Sequence, residues 1–263
     1  MCVFNPEIDP MRVIQNLLFK APALLCLVFA TTVQAAEVRV FVAGAAKAAY
    51  DMLAPDYQRA TGNTLRAEFD TVGALRDRVL AGAPVDVVML SSAAVDALAQ
   101  KGFVAAPMRS DVGIVVAGLA VKRGAPVPDI STEAALRQTL LSATTISHAD
   151  GARGATSGLH FSKVIDAMGL REALAPRITV LPFGVDVIHG VANGTYALGV
   201  SQSSEIVPLP DVTFVGGLPA PYSLRTVYSV AAVGSSEAGQ QLLRFMQSDA
   251  ARAKFAAAGF AQP

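Results

Sequence analysis

Between His148 and His160 the chain reads His-Ala-Asp-Gly-Ala-Arg-Gly-Ala-Thr-Ser-Gly-Leu-His. Two of the three histidines of the chain flank this stretch. It also holds a cation, Arg153, and two adjacent hydroxyls, Thr156 and Ser157. A β-prone run, Ala143 to Ser147, leads into it, and apolar residues at helical spacing begin at Thr156. The pattern predicts a strand, a glycine-broken loop and a helix, with the polar groups at the helix mouth. The first N–H groups of a helix lack internal partners and lie at the positive end of its dipole, so such a mouth attracts anions. A guanidinium binds a carboxylate through two parallel hydrogen bonds. An imidazole titrates near neutrality and carries protons. Together these residue types suit a site that holds a small carboxylate and moves a proton on it.

Each candidate also has a plainer reading. Arg153 is a carboxylate partner or a solvated loop cation. Thr156 and Ser157 donate to a ligand or cap the helix, and one terminus can do both. His160, one turn into the helix, faces the ligand as a general acid/base or packs under the loop. His148, at the end of a strand, is a second candidate for that role. His189 reads as an outward-facing helix residue. Asp70 follows a strand and is either a base or the cap of a helix at Val72. Lys47 is a ligand contact or a solvated lysine. Gln202, Ser203 and Ser204 end a later strand and offer amide and hydroxyl contacts, whereas Glu205 reads as a surface cap. The histidines have no spacing suited to a metal, so neither metal nor cofactor is expected.

Positioning these groups requires alternating elements. Val38–Val42, Leu65–Phe69 and Asp86–Leu90 read as strands, and Ala45–Thr61, Val72–Ala81 and Ser92–Lys101 as helices. A long β-prone run, Val112–Val121, follows. A second series then alternates helix and strand from Thr132 to Ser201. Another long run, Leu224–Val233, precedes two closing helices, Ser236–Gln247 and Asp249–Ala258. This is an α/β pattern of parallel-sheet type. The long runs suggest strands crossing between two lobes. Residues 36–115 form lobe one, with 225–263 returning to it, and residues 116–224 form lobe two. Ligands bind beyond the carboxyl ends of such strands, so the expected site is a cleft between the lobes.

The first residues read as a secretory signal. A basic start at Met11-Arg12, an apolar run from Ala21 to Ala30 and the small-residue pattern Val33-Gln34-Ala35 predict cleavage after Ala35 and export to the periplasm. The apolar run is too short for a membrane span, and no similar run follows. Both cysteines, Cys2 and Cys26, precede the cut, which excludes disulfides and thiolate chemistry from the mature chain. The net charge of zero gives no field for nucleic acid.

Three segments carry a family resemblance: Val38-Arg-Val-Phe-Val-Ala-Gly44, Leu80-Ala-Gly-Ala-Pro-Val-Asp-Val-Val-Met-Leu90 and the terminal Gly259-Phe260. They resemble the periplasmic solute-binding proteins of the molybdate-binding type over essentially the whole mature chain. The resemblance implies the type 2 periplasmic-binding-protein fold, with two lobes, mostly parallel sheets and a ligand cleft between them. It places the binding positions at Ala45, Thr71, Val72, Val187, Gln202 and Ser203, beside Arg153, Thr156 and Ser157. Molybdate binders carry serines where this chain has Ala45 and the Asp70-Thr71-Val72-Gly73 loop, so a tetrahedral oxyanion is not expected. The Asp150–His160 loop looks like that of an exported branch, the aconitate isomerases. That likeness implies a cofactor-free 1,3 proton shift between cis- and trans-aconitate, with His160, His148 or Asp70 moving the proton and a tricarboxylate as ligand. The alternative is a non-catalytic receptor for a small carboxylate or oxyanion that feeds an ABC transporter.

Overall fold

The computed structural model describes residues 1–3 and 35–262. The expected leader, with its basic start, apolar run and Cys26, lies outside them. β1 (Glu37–Ala43) and β2 (Thr64–Asp70) pair parallel in full register, from Glu37 beside Thr64 to Ala43 beside Asp70. The loops that follow the two strands therefore emerge side by side. Between them runs α1 (Lys47–Thr61), entered through a 3-10 turn at Gly44–Ala46 and stopped at Gly62. Gly62 takes the left-handed φ of 74°, which costs a residue without Cβ little. α2 (Val72–Leu80) begins where the Thr71 hydroxyl accepts from the Ala74 N–H at 3.2 Å. β3 (Val87–Ser91), entirely buried, and α3 (Ser92–Gln100) complete this series.

The long β4 (Arg109–Lys122) organises the sheet. Its first part pairs with β9 (Arg225–Ala232), and its second part pairs with β7 (Leu198–Gln202) and β8 (Val212–Gly217). The second series runs through α4 (Glu133–Ser142), β5 (Ile146–Ala149), α5 (Thr156–Ala167), α6 (Arg171–Leu174), β6 (Ile178–Leu181), α7 (Gly184–Ala192), β7 and the short α8 (Ser203–Ile206). The strand order is β2-β1-β3-β9-β4-β7-β5-β6, with β8 on β4 off this path. Pairs β1·β2, β1·β3, β5·β6 and β5·β7 are parallel. The pairs β3·β9, β4·β9, β4·β7 and β4·β8 are antiparallel. The sheet is thus mixed rather than mostly parallel, because every pair made by β4 or β9 runs against its neighbour.

Apolar burial follows this layout. One core combines Val38, Val40, Val42, Leu75 and Leu98 with Leu242, Leu243, Met246 and Phe255 of the closing helices α9 (Glu237–Met246) and α10 (Asp249–Ala257). The β5–β7 region has a core on each face: Leu136, Leu140, Phe161 and Val164 on one, Val187, Ile188, Val191 and Ile206 on the other. Fully burying a side chain of this size stabilises by about 1.5–3 kcal/mol, so three such cores hold the strand ends in fixed positions. The carboxyl ends of β1, β2, β5, β6 and β7 are where the candidate site lies.

Candidate active site

The starts of α1, α2, α5 and α7, with that of the short α8, meet at one cavity of about 40 Å³. Its wall includes Gly44 and Ala45 from the turn before α1, Val72 of α2, Thr156 and Ser157 of α5, and Gly184 of α7. Three of these starts, those of α1, α5 and α7, have no side-chain cap. Of the helices that begin elsewhere, α3 is capped by Ser91, α4 by Thr132, α9 by Ser236 and α10 by Ser248, and only the four-residue α6 is not. An uncapped start leaves its N–H groups to water or a ligand. Capping is therefore missing where an anion would gain most from it being missing.

A second observation points the same way. Gln202 is 2% exposed and lines the cavity, yet neither terminal atom of its amide has a hydrogen-bond partner among the described residues. The turn from Gln202 to Glu205 has the outline of a capping box, with the Gln202 N–H 3.4 Å from Glu205 Oε2. That arrangement does not bring the Gln202 amide itself into hydrogen-bonding geometry. Ser204, 1% exposed, also has an unpartnered hydroxyl and lines an adjoining cavity of about 350 Å³. Buried polar atoms are nearly always paired, so an unpaired amide in a cavity wall marks a place for a polar ligand.

The two cavities adjoin through shared wall residues, among them Gly44, Asp70, Phe183 and Glu205. Glu205 keeps part of its surface open, but protein surrounds its carboxyl. Ser201 donates its hydroxyl to Glu205 Oε2. Burial pushes the Glu205 carboxyl above its usual range, and the charge of Asp186 adds to this; the bonds from Ser201 and Gln202 oppose it. Tyr228, in the cavity wall, is held neutral by its own burial and by the charge of Glu205. Asp70 is tied down differently. Its Oδ1 accepts from the Thr71 N–H at 2.8 Å and from Arg153 at 3.3 Å.

The loops that carry Thr71 and Thr156 meet through backbone contact beside the cavity. Gly73, in the first turn of α2, donates its N–H to Gly154 O at 3.3 Å. A Cβ on Gly154 would lie 2.6 Å from Gly73 Cα, and one on Gly73 would lie 2.8 Å from Gly154 Cα. The Thr71 hydroxyl donates to Arg153 O beside them.

Seven of the residues singled out from the sequence share the cavity wall: Ala45, Asp70, Thr71, Val72, Thr156, Ser157 and Gln202. The others lie elsewhere. Arg153 sits at the mouth, paired with Asp70 and stacked 5.2 Å from the centre of the Phe183 ring, with 45% of its side chain exposed. His148 is 4% exposed beneath the loop. Its Nδ1–H donates to Ala149 O at 2.8 Å, its ring meets Phe161 edge-on at 5.4 Å, and burial lowers its pKa. His160 turns away and donates from Nε2 to Tyr222 O at 2.8 Å. Ser203 bridges backbone, accepting from the Val116 N–H at 3.2 Å and donating to Gly259 O at 3.1 Å. Val187 belongs to the core. None of these five lines either cavity, so the expected roles of His148 and His160 in proton transfer have no geometry behind them. Lys47 and His189 line the adjoining cavity.

The sequence reads Glu205 as a surface cap and gives Gly44 and Gly184 no role, yet all three line the cavity. The usable signal was the spacing from Gln202 to Glu205. A glutamate three residues into a helix folds back towards the residue before it, which here is the carboxyl end of β7.

A cavity walled by helix starts at the carboxyl ends of strands is the arrangement of a solute-binding fold. The chain belongs to the bacterial extracellular solute-binding protein family, whose sequence pattern matches residues 38–261. It is 35% identical over 211 residues to an aconitate isomerase from a Pseudomonas species, covering 76% of this chain and 79% of the relative. The periplasmic molybdate-binding protein of Azotobacter vinelandii shares the fold, with a TM-score of 0.69 at 20% identity over 86% of this chain and 99% of that one. The substrate-binding protein of an ABC transporter from Agrobacterium tumefaciens does so with a TM-score of 0.66 at 16% identity over 86% and 78%. Among the described residues no helix is long and apolar enough to cross a membrane.

Proposed function

We propose that this protein is an exported aconitate isomerase that interconverts cis- and trans-aconitate by a cofactor-free 1,3 proton shift. The observation that carries this reading is the presence of two carboxyl groups, Asp70 and Glu205, in a wall otherwise suited to anions. A receptor for a polyanion gains nothing from acidic side chains facing its ligand. Removal of a proton from carbon requires a base. The likeness to a relative that is an aconitate isomerase supports the same choice.

The remaining groups then have tasks. The uncapped starts of α1, α5 and α7, with Thr156, Ser157 and the Gln202 amide, hold carboxylates. They also stabilise the charge that flows into one of them when the methylene proton leaves. Arg153 balances Asp70 at the mouth and draws the anion in. The Gly73–Gly154 contact shuts water out while the carbanion exists. Ala45 and Val72 offer no hydroxyl to a tetrahedral oxyanion, which disfavours molybdate. The chain acts in the periplasm after cleavage behind Ala35.

The test is direct. Purified mature protein is mixed with trans-aconitate, and cis-aconitate is followed by chromatography. Steady production supports the proposal. No turnover at micromolar protein, with tight calorimetric binding of molybdate or a small carboxylate, replaces it with a receptor that delivers its ligand to a transporter.

A further inference from the structure

We infer that Glu205 is the catalytic residue that carries the proton, using its free oxygen Oε1 at the wall shared by the two cavities. This assignment rests on the isomerase reading and names the group that reading leaves open.

What sets Glu205 apart is a carboxyl that protein surrounds and that pairs with no cation among the described residues. Ser201 and Gln202 both engage Oε2, and Oε1 has no hydrogen-bond partner among the described residues. A Cβ on Gly44 would lie 3.1 Å from Oε1, and one on Gly184 would collide with Oε2. The carboxyl is therefore clamped between two residues without side chains, one from each side of the cavity. A side chain at Gly184 would displace it, and one at Gly44 would crowd Oε1. Asp70, the other acid in the wall, is likewise engaged through one oxygen, but there it is paired with the Arg153 cation. His148 and His160 line neither cavity.

A base that returns the proton two carbons away must reach both ends of the allyl unit from one face. A carboxylate fixed through one oxygen and free at the other can do this with a small swing. The C–H bond of the methylene breaks, and its electron pair delocalises over three carbons into the adjoining carboxylate. An O–H bond forms at Oε1. That proton then bonds to the far carbon, the double bond moves by one position, and Glu205 ends as the carboxylate that began. No electrons are gained or lost overall.

The charged and titratable groups around this carboxyl are Asp186 and His189 on α7, Asp70 at the end of β2, Lys47 and Asp51 on α1, and Tyr228 on β9. Burial keeps the proton affinity of Glu205 high in their midst, as a general base working near neutrality needs.

The test uses Glu205→Gln, whose side-chain oxygen can still accept from Ser201. Wild-type protein is first incubated with aconitate in D2O, and isomerisation and deuterium entry at the methylene are followed by NMR. Glu205→Gln is expected to lose both by at least about 100-fold. Its affinity for tricarballylate, a saturated tricarboxylate that cannot isomerise, should stay within about threefold of wild type by calorimetry, a change of under 1 kcal/mol. Ser201→Ala keeps the carboxyl but removes a bond that favours its ionised form, so the acidic limb of kcat/KM should move to higher pH. Wild-type rates in Glu205→Gln, or a joint loss of affinity and rate, would overturn the assignment and leave the isomerase reading standing. An unmoved acidic limb in Ser201→Ala would overturn it as well. If wild-type protein neither isomerises nor exchanges, the enzymatic reading fails first and takes the role of Glu205 with it.

Discussion

Replacing Gln202 with methionine should make the empty protein more stable and its ligand binding weaker. The side chain is 2% exposed, and both of its polar atoms lack partners among the described residues. Each such atom costs about 1–3 kcal/mol when nothing pairs with it. The neighbouring cavity has room for water, which recovers part of that, so a net gain of about 2 kcal/mol is expected from a methionine of similar shape. At roughly 2–4 °C per kcal/mol for a chain of this size, the melting temperature should rise by about 4–8 °C. Binding moves the other way. A hydrogen bond from the amide to a carboxylate contributes about 1.5–3 kcal/mol, so the Kd for tricarballylate should rise roughly 10- to 100-fold. Thermal unfolding without ligand and titration calorimetry read the two effects separately. A lower melting temperature with unchanged affinity would mean that the amide is bonded within the protein and faces no ligand. That result would remove the main support for a polar occupant of this cavity.

Three further outcomes follow from the same geometry. Gly154→Ala should cost about 1–2 kcal/mol of stability, since Gly154 has a φ of 83° that a Cβ resists. It should also weaken tricarballylate binding about tenfold, because its methyl would hold Gly73 away and keep the mouth open; unchanged affinity by calorimetry would show that closure contributes nothing. Arg153→Ala should weaken binding by less than about tenfold, because a pair with 45% of the arginine exposed is worth up to about 1 kcal/mol. A 100-fold loss would place the guanidinium on the ligand itself. His148 gives a pH effect of defined sign. Burial holds its folded pKa below 6.5, so the unfolded chain binds the proton more readily and stability is lost as pH falls below that value. Melting temperatures from pH 7.5 to 5 should fall less steeply in His148→Gln than in wild type, and equal slopes would show that the folded protein protonates this ring.

Much of the fold was legible because its elements obey simple periods. Val38–Val42 alternates, and α1 stops where glycine can take a left-handed turn, so both emerged from the sequence within a residue or two of their observed bounds. β8, Val212–Gly217, was missed because its two terminal glycines read as loop and its pairing to β4 is entirely non-local. The mixed character of the sheet was missed for the same reason, since strand direction is not written in hydropathy. In the site, helix mouths were legible and side-chain aim was not. His148 and Gln202 both lie at or near the end of a buried strand. His148 pairs with Val200, so it and Gln202 share a face, and depth separates them: His148 lies level with the core and packs on Phe161, while Gln202, two residues beyond Val200, ends β7 at the cavity. Glu205 was read as a surface cap because its turn has that form. Its capping geometry holds, but Gly44 and Gly184 make room for the carboxyl inside the wall.

A solute-binding fold needs few changes to do this chemistry. It already supplies helix starts that hold negative charge and a contact that excludes water over the bound anion. Both would stabilise a carbanion as readily as a carboxylate, because the charge develops where the donors already point. What the fold does not supply is a base that stays reactive among anions. An exposed glutamate is too weak for that task, and one bonded at both oxygens or paired with a cation is weaker still. Burying the carboxyl and engaging one oxygen while leaving the other free raises its basicity and keeps its aim. The two glycines that flank Glu205 allow that burial. On this argument Gly44 and Gly184 set catalytic competence as firmly as the acid does. Placing a methyl group at Gly184 should abolish proton transfer while every polar group of the site remains.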